Sequence, residues 1–264
     1  MPNSGNFVTS DIREWSRQEL NGGRVEGQAS AYSLSLPGDL RGYGNAQLDD
    51  YSGLRRREYP HRPGITLSVQ ARFSHAVEEL KGTAGFGFWN APFGDPTVRT
   101  PALPQAAWFF YASPPSDLPL APNGVGRGWF AGTIDASSPR AVTLIPFAPL
   151  VLLLNQFGGV RKRLWPGIQQ RLGISFAPVE ASMTEWQAYR LSWQRESCSF
   201  YVNNELLLTT SFVPQGPLGF VCWLDNQFLV ATSTGRFRWG TLSSSAEQCL
   251  EIRELGLKVA DGGS

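Results

Sequence analysis

The chain has 264 residues, a net charge of +1 and 42% hydrophobic residues, including nine Trp and sixteen Phe. The near-neutral charge excludes a general electrostatic attraction to nucleic acid, and no apolar stretch approaches the ~18 residues of a membrane span. The 28 Gly and 19 Pro residues indicate many turns between short strands. A large β-rich core is expected.

The N-terminal segment, residues 1–24, is polar and is predicted to form a loose arm or short helix anchored by Trp15. Residues 25–264 are predicted to form one β-sandwich domain. The segment lacks the basic start and apolar run of a signal peptide. A soluble, cytoplasmic protein is therefore expected.

Alternating apolar and polar residues predict strands through the first half of the chain. The clearest is Ile65–Phe73, where one face suits the core and the other suits solvent. Further strands are predicted over residues 26–36, 85–89, 107–112 and 128–134. Gly85 and Gly87 leave room for another group to lie against the backbone.

Residues 148–174 break the β pattern. The aliphatic run Val151–Leu154 is followed by Leu164, Ile168 and Leu172 at helical spacing. Four basic residues give the second half a basic face: Arg161, Lys162, Arg163 and Arg171. We predict one or two inserted helices, whose role stays open between packing on the sandwich, covering a cleft as a lid, and lying on a membrane surface.

The segment from Trp186 to Phe228 predicts three or four consecutive antiparallel strands. Asn203-Asn204 supplies a tight turn, because Asn tolerates positive φ. A last strand is predicted over residues 249–259. The three cysteines, Cys198, Cys222 and Cys249, fall in these strands at spacings that fit neither a disulfide framework nor a zinc site, so buried free thiols are expected.

The same segment resembles the concanavalin A-like lectin/glucanase superfamily. The resemblance rests on a Trp-x-x-Tyr-x-Leu-x-Trp strand, a Phe-Tyr-Val-Asn-Asn hairpin and a Pro-Leu-Gly-Phe-x-x-Trp strand. It is most similar to family 16 glycoside hydrolases, with Asn203-Asn204 where Asp-Gly is usual. The resemblance covers about residues 29–259 and implies an all-β fold, a two-sheet antiparallel jelly-roll sandwich with the helical insertion around 148–174.

The resemblance also implies two catalytic carboxylates on one strand, in a Glu-x-Asp-x-(x)-Glu pattern that suits a retaining hydrolase. This chain has no such pattern. The strand most similar to the family's catalytic strand, residues 107–112, carries four aromatic residues: Trp108, Phe109, Phe110 and Tyr111. Hydrolysis by the usual residues is therefore not expected, and Glu251 and Glu254 in the last strand are interpreted as a surface pair.

Aromatic residues supply the candidate binding surface. In the resembled families the concave sheet face is the glycan cleft, and aromatic rings there stack on sugars or on flat apolar ligands. The candidate ligand-binding residues are Trp89, Trp108, Phe110, Trp129, Trp165, Trp223 and Asn226. A place in the core is the alternative for each Trp.

Two functions remain open beside a purely structural role. The first is a lectin-like module that binds a glycan without hydrolysing it. The second is an enzyme (a cyclase, isomerase or hydrolase) that acts on an apolar or aromatic small molecule, with Asp225, Tyr111 or His75 as its acid–base group. A buried carboxyl is costly if unpaired, so Asp225 is expected either to hydrogen-bond a loop or to face a cleft.

No cofactor is expected, although the resemblance makes a structural Ca²⁺ possible. Asp49, Asp50, Asp135 and Asp225 are its candidate ligands, but no spacing selects among them. The two histidines, His61 and His75, are too few for a histidine-rich metal site.

Overall fold

The computed structural model describes residues 15–92, 100–119 and 126–259. The predicted arm, residues 1–24, therefore lies largely outside the described residues. Within them the chain forms sixteen strands. In chain order these are β1 (Ser16–Leu20), β2 (Arg24–Gln28), β3 (Ala31–Leu36), β4 (Asn45–Asp49), β5 (Ile65–Phe73), β6 (Thr83–Trp89), β7 (Gln105–Ala112), β8 (Gly128–Asp135), β9 (Ser175–Pro178), β10 (Gln187–Trp193), β11 (Cys198–Val202), β12 (Glu205–Thr210), β13 (Gly219–Asp225), β14 (Gln227–Ala231), β15 (Phe237–Thr241) and β16 (Gln248–Val259).

Two seven-stranded antiparallel sheets contain all but two of these strands. Sheet I has the order β1-β4-β13-β6-β7-β8-β9, and sheet II has the order β12-β11-β10-β5-β16-β3-β2. Strands β14 and β15 pair with each other in a separate hairpin. The chain is thus an all-β jelly-roll sandwich, as the sequence predicted.

The main core lies between the two sheets, where the inward residues of each strand meet. Phe86 of β6 contacts Tyr189 of β10 with ring centroids 5.2 Å apart. Phe109 of β7 contacts Phe200 of β11 at 5.5 Å, and both pairs are edge-to-face. This geometry suits the ring quadrupoles and adds to the large apolar area that each ring removes from water. Aromatic alternation along the strands therefore holds the sheets together.

The strand predictions agree with the structure most closely where one face is strictly apolar. Strand β5 has the predicted bounds. The run 26–36 is two strands, β2 and β3, because Ala29 adopts a positive φ of 55° and turns the chain back. Within the predicted arm, residues 16–20 form β1, which pairs with β4 at the edge of sheet I rather than lying loose.

The helical insertion between β8 and β9 is present and begins earlier than predicted. It contains α1 (Pro139–Val142), α2 (Ala148–Leu154) and α3 (Gly158–Arg171). Ser138 starts it, because its Oγ accepts a hydrogen bond from the Ala141 N–H at 3.2 Å and Pro139 suits the first helical position. No helix in the described part of the chain has the length and apolar character needed to cross a membrane.

Candidate functional site

The outer face of sheet I carries a cluster of four aromatic residues, called here the aromatic face: Trp89, Trp108, Phe110 and Trp223. The indoles of Trp89 and Trp223 are stacked, with ring centroids 5.9 Å apart and planes within 4° of parallel. Trp108 lies 5.7 Å from Trp223 and 5.0 Å from Phe110. The structure thus brings together four of the seven predicted ligand-binding residues, from three adjacent strands.

Two strand glycines make room for these rings. A Cβ on Gly85 would lie 2.9 Å from Cη2 of Trp223, and a Cβ on Gly87 would lie 2.7 Å from Cβ of Trp108. The Trp223 side chain lies over β6 as a result, and it is only 5% exposed. Trp89 and Trp108 are half-buried. They provide the accessible part of the aromatic face.

Hydrogen bonds fix the orientation of two of the indoles. Trp89 Nε1 donates to Tyr51 Oη at 2.8 Å. Trp223 Nε1 donates to Thr83 Oγ1 at 3.0 Å, and Thr83 Oγ1 donates to Asp225 Oδ1 at 2.8 Å. Because the polar edges of these rings are already paired, the ring faces are held in place before any ligand arrives, which lowers the entropic cost of binding.

A polar margin borders the aromatic face on β4. Asp49 is fully buried there, and desolvation raises the pKa of its carboxyl, although hydrogen bonds oppose this shift. Its oxygens accept hydrogen bonds from Gln18 Nε2, Gln47 Nε2, Tyr51 N, Ser52 N and Ser52 Oγ. With its acceptor positions used in this way, Asp49 acts as a structural anchor for the margin.

Asn45, at the start of β4, was not singled out in the sequence. It is 1% exposed, and within the described structure its Nδ2 has no hydrogen-bond partner. The strand register places it opposite Asp225 and two residues from Gln47. Strand β4 lies in a Gly- and Asp-rich segment without clear alternation, so the sequence does not single out Asn45.

Asp225 is buried at the end of β13, and its surroundings are structural. Burial raises the pKa of its carboxyl to about 7, against the effect of hydrogen bonds that favour the charged form. Its Oδ1 accepts from the backbone N–H of Thr83 at 3.2 Å and of Gln227 at 3.0 Å, as well as from Thr83 Oγ1. Of the two expected environments, it adopts the hydrogen-bonded one.

Tyr111 and Trp129 lie on the opposite side of sheet I, inside the main core. Tyr111 Oη donates to Leu80 O at 3.0 Å, and burial raises the pKa of the phenol to about 12. Trp129 Nε1 donates to Tyr189 Oη at 3.3 Å. The two-residue period of β7 and β8 turns both side chains inward, so Trp129 occupies the core position that was its alternative, and the candidate acid–base group Tyr111 also lies in the core.

The remaining predicted residues are dispersed. His75 follows β5 in sheet II and its Nδ1 lies 2.8 Å from Ser74 Oγ. Asn226 is buried and its side-chain amide bonds Gly44 N, Gly42 O and Leu242 O, so it joins three loops. Trp165 is half-buried on α3. Asp225, Tyr111 and His75 therefore do not share a site.

The four candidate Ca²⁺ ligands do not fit a Ca²⁺ site. Across residues 15–92, 100–119 and 126–259, no three His, Cys, Asp or Glu residues are grouped as metal ligands. Asp50 accepts from Phe220 N at 2.8 Å and lies 2.5 Å from His61 Nε2. Asp135 accepts from Gln105 Nε2 at 2.8 Å. Carboxylates engaged by N–H donors do not provide the oxygen cage that Ca²⁺ prefers.

A second aromatic feature, absent from the sequence predictions, lies on the outer face of sheet II. Trp186 is half-buried there next to two guanidinium groups, with Arg253 Cζ 4.1 Å and Arg72 Cζ 4.9 Å from the ring centroid. Arg72 also pairs with Glu251 at 2.5 Å. The Trp186 ring is therefore in contact with cations, and in the described part of the chain no such contact is found for Trp89 or Trp108.

Comparison with known proteins supports the fold class alone. No family model matches the chain, and no curated protein matches it in sequence. Among solved structures it is similar to the carbohydrate recognition domain of Emp47p, with a TM-score of 0.50 and 11% identity over 96% of this chain and 92% of that one. It is also similar to the GlcNAcα1-4Gal-releasing endo-β-galactosidase of Clostridium perfringens, with a TM-score of 0.44 and 12% identity over 95% of this chain and 60% of that one. The comparison thus shows the fold alone, a two-sheet β-sandwich similar to that of the Emp47p domain.

Proposed function

We propose that the chain is a module that binds a glycan without hydrolysing it, through the aromatic face. The observation that carries this proposal is the position of Trp89 and Trp108. Both indoles are half-buried on the outer face of sheet I, and both contact other rings of the cluster. Partly exposed indole faces that are packed against other rings suit the apolar faces of sugar rings. The fold shared with a carbohydrate recognition domain is consistent with this use.

Binding without hydrolysis follows from the side chains that face outward on sheet I. Family 16 enzymes, which the hairpin motifs resemble, need a carboxylate pair about 5 Å apart. On β7 the outward positions hold Trp108 and Phe110 instead. Asp49 pairs with Val221, four residues before Asp225 along β13, so the two acids are roughly 13 Å apart at the strand rise. That distance suits neither stereochemical route.

The polar margin would support the binding face from the side, because Asp49 there accepts five hydrogen bonds from Gln18, Gln47, Tyr51 and Ser52. The free thiols of Cys198, Cys222 and Cys249 support a cytoplasmic location for the proposal.

An apolar or aromatic small molecule is the second candidate ligand. The observation that favours it is the composition of the neighbouring side chains, since Leu172 and Ile174 belong to the same cluster as Trp223. An apolar border of this kind would shield a flat ligand from water. No catalytic step is assigned to this alternative, because its three acid–base candidates do not meet.

The test is intrinsic Trp fluorescence during titration with two panels, oligosaccharides and apolar small molecules. Saturable quenching by an oligosaccharide is expected, and Trp108→Ala should raise its Kd roughly thirty-fold, as for a central aromatic contact. Trp186→Ala is the matched control, because that indole is also half-buried but lies on sheet II. The control should leave the Kd unchanged.

Two results would redirect the proposal. Quenching by apolar compounds alone, lost in Trp108→Ala, would replace the glycan with the second candidate ligand. Loss of oligosaccharide binding in Trp186→Ala but not in Trp108→Ala would move the site to sheet II and contradict the role of the aromatic face.

A further inference from the structure

The helical insertion and the β14–β15 hairpin expose most of the large hydrophobic side chains on the described chain. Of the 16 such exposed residues, nine lie between positions 139 and 171 and two lie in β15. Leu153 is 61% exposed and Phe157 62%, while Phe237 and Trp239 are each 68% exposed. Side chains of this size, exposed together, indicate an interaction site rather than ordinary surface.

The two segments contact each other and form one continuous part of the exterior. Asn155 Nδ2, after α2, donates to Ser233 O at 2.9 Å, and Gln156 Nε2 donates to Thr234 O at 2.8 Å. Leu152 of α2 lies against Gly235 in the hairpin turn. Residues 139–171 and 227–241 are called here the apolar–basic surface.

The charged residues of this surface are all basic. It holds seven of the 23 Lys and Arg residues and none of the 22 Asp and Glu residues, so the rest of the chain carries 16 basic against 22 acidic residues. Within the described part of the chain, none of the seven forms an ion pair with a carboxylate. The seven are Arg140, Arg161, Lys162, Arg163, Arg171, Arg236 and Arg238.

We propose that the apolar–basic surface docks on an anionic lipid membrane. Exposed apolar side chains partition into the boundary between headgroups and acyl chains, and basic residues beside them attract anionic headgroups. Trp239 is suited to that boundary, where Trp is enriched. A second copy of the chain would bring the five basic residues of the insertion against five like charges, which makes self-association through this surface unfavourable.

The mode of docking is peripheral. The longest helix of the insertion, α3, has 14 residues and contains Pro166, whereas a span needs about 20 apolar residues. The helices would therefore lie in the plane of the interface. The aromatic face is formed by other residues, so this proposal stands or fails independently of glycan binding.

The experiment is co-sedimentation of the full chain with vesicles, either of phosphatidylcholine alone or with about one-third phosphatidylserine. Binding is expected only to the anionic vesicles, and it should weaken as salt is added. The double variant Lys162→Ala/Arg163→Ala should bind roughly 25-fold more weakly, since each basic residue near an anionic surface strengthens binding about five-fold. Leu153→Ser/Phe157→Ser should abolish binding.

Matched controls are Arg195→Ala and Leu206→Ser. Both residues are exposed, Leu206 to 59%, and both lie on the side of the chain built from sheet II. The controls should bind as the unaltered chain does. Equal binding to neutral vesicles, no binding to either kind, or equal weakening by the controls would overturn the proposal. So would a dimer that Leu153→Ser/Phe157→Ser dissociates, or binding to polyglutamate without binding to vesicles, which would assign the surface to a second copy or to an acidic protein.

Discussion

Asp225 shows how one buried carboxyl links the end of a strand to the pH dependence of the whole domain. It is 8% exposed and its pKa is raised from 3.8 to about 7, chiefly by burial. Between these two values the folded chain binds more protons than the unfolded chain. The stability contributed by this group is therefore complete below about pH 4 and is lost as the pH rises toward 7.

The variant Asp225→Asn should remove this pH dependence. An amide oxygen can still accept from Thr83 and Gln227, but the side chain no longer ionises inside the protein. Relative to the unaltered chain, the variant should gain about 2–3 kcal/mol of unfolding free energy between pH 5 and pH 8. Urea unfolding at the two pH values measures this difference. Parallel pH profiles for the two proteins would show that Asp225 is ionised throughout.

At the scale of single elements, two-residue periodicity predicted where the strands lie better than it predicted which face of each strand points into the core. Strand β5 was located to the residue because its apolar positions alternate without interruption. In β7 both faces are aromatic, since Phe110 points outward and Tyr111 points inward. Composition alone cannot tell such faces apart, so the sequence could not show that Tyr111, a candidate acid–base group, lies in the core.

Gly85 has no side chain, and this lets the Trp223 indole lie against the backbone of β6. A Cβ at this position would lie 2.2 Å from Phe109 O on the neighbouring strand and 2.9 Å from Trp223 Cη2. Gly85→Ala should therefore lower the free energy of unfolding by more than about 2 kcal/mol, as overpacking does. It should also shift the Trp emission, because the stack of Trp223 on Trp89 must open.

The control for that substitution is Gly256→Ala in β16. Gly256 is also a strand glycine, but a Cβ there would meet no atom within 4 Å. Its effect on stability should stay within about 0.5 kcal/mol, as for an open surface position. Equal losses at the two positions would mean that loss of glycine itself, rather than the close approach of Trp223, determines the cost.

At the scale of the whole molecule, the sequence predicted the sandwich but only part of the candidate site. The motifs between Trp186 and Phe228 are made of residues close together in the chain, so they can be recognised in the sequence before the fold is known. The aromatic face joins β6, β7 and β13, whose adjacency depends on long-range pairing of Trp223 with Gly85 and of Gly87 with Trp108. The polar margin was missed for the same reason, since Asn45 meets Asp225 only after β4 pairs with β13.

The sandwich and the helical insertion are structurally separate parts of the molecule. Neither hydrophobic cluster of the domain contains a residue between positions 139 and 171, and β8 and β9 are antiparallel neighbours that a short loop can join. Replacing residues 139–171 by a short Gly/Ser linker should therefore leave a cooperatively unfolding sandwich, whose near-UV circular dichroism changes only by the contributions of Phe147, Phe157 and Trp165. The shortened chain should lose binding to anionic vesicles and keep the fluorescence response to oligosaccharides. Non-cooperative unfolding would instead make the insertion part of the core, and retained vesicle binding would move the lipid contact to β15, where Phe237 and Trp239 remain exposed.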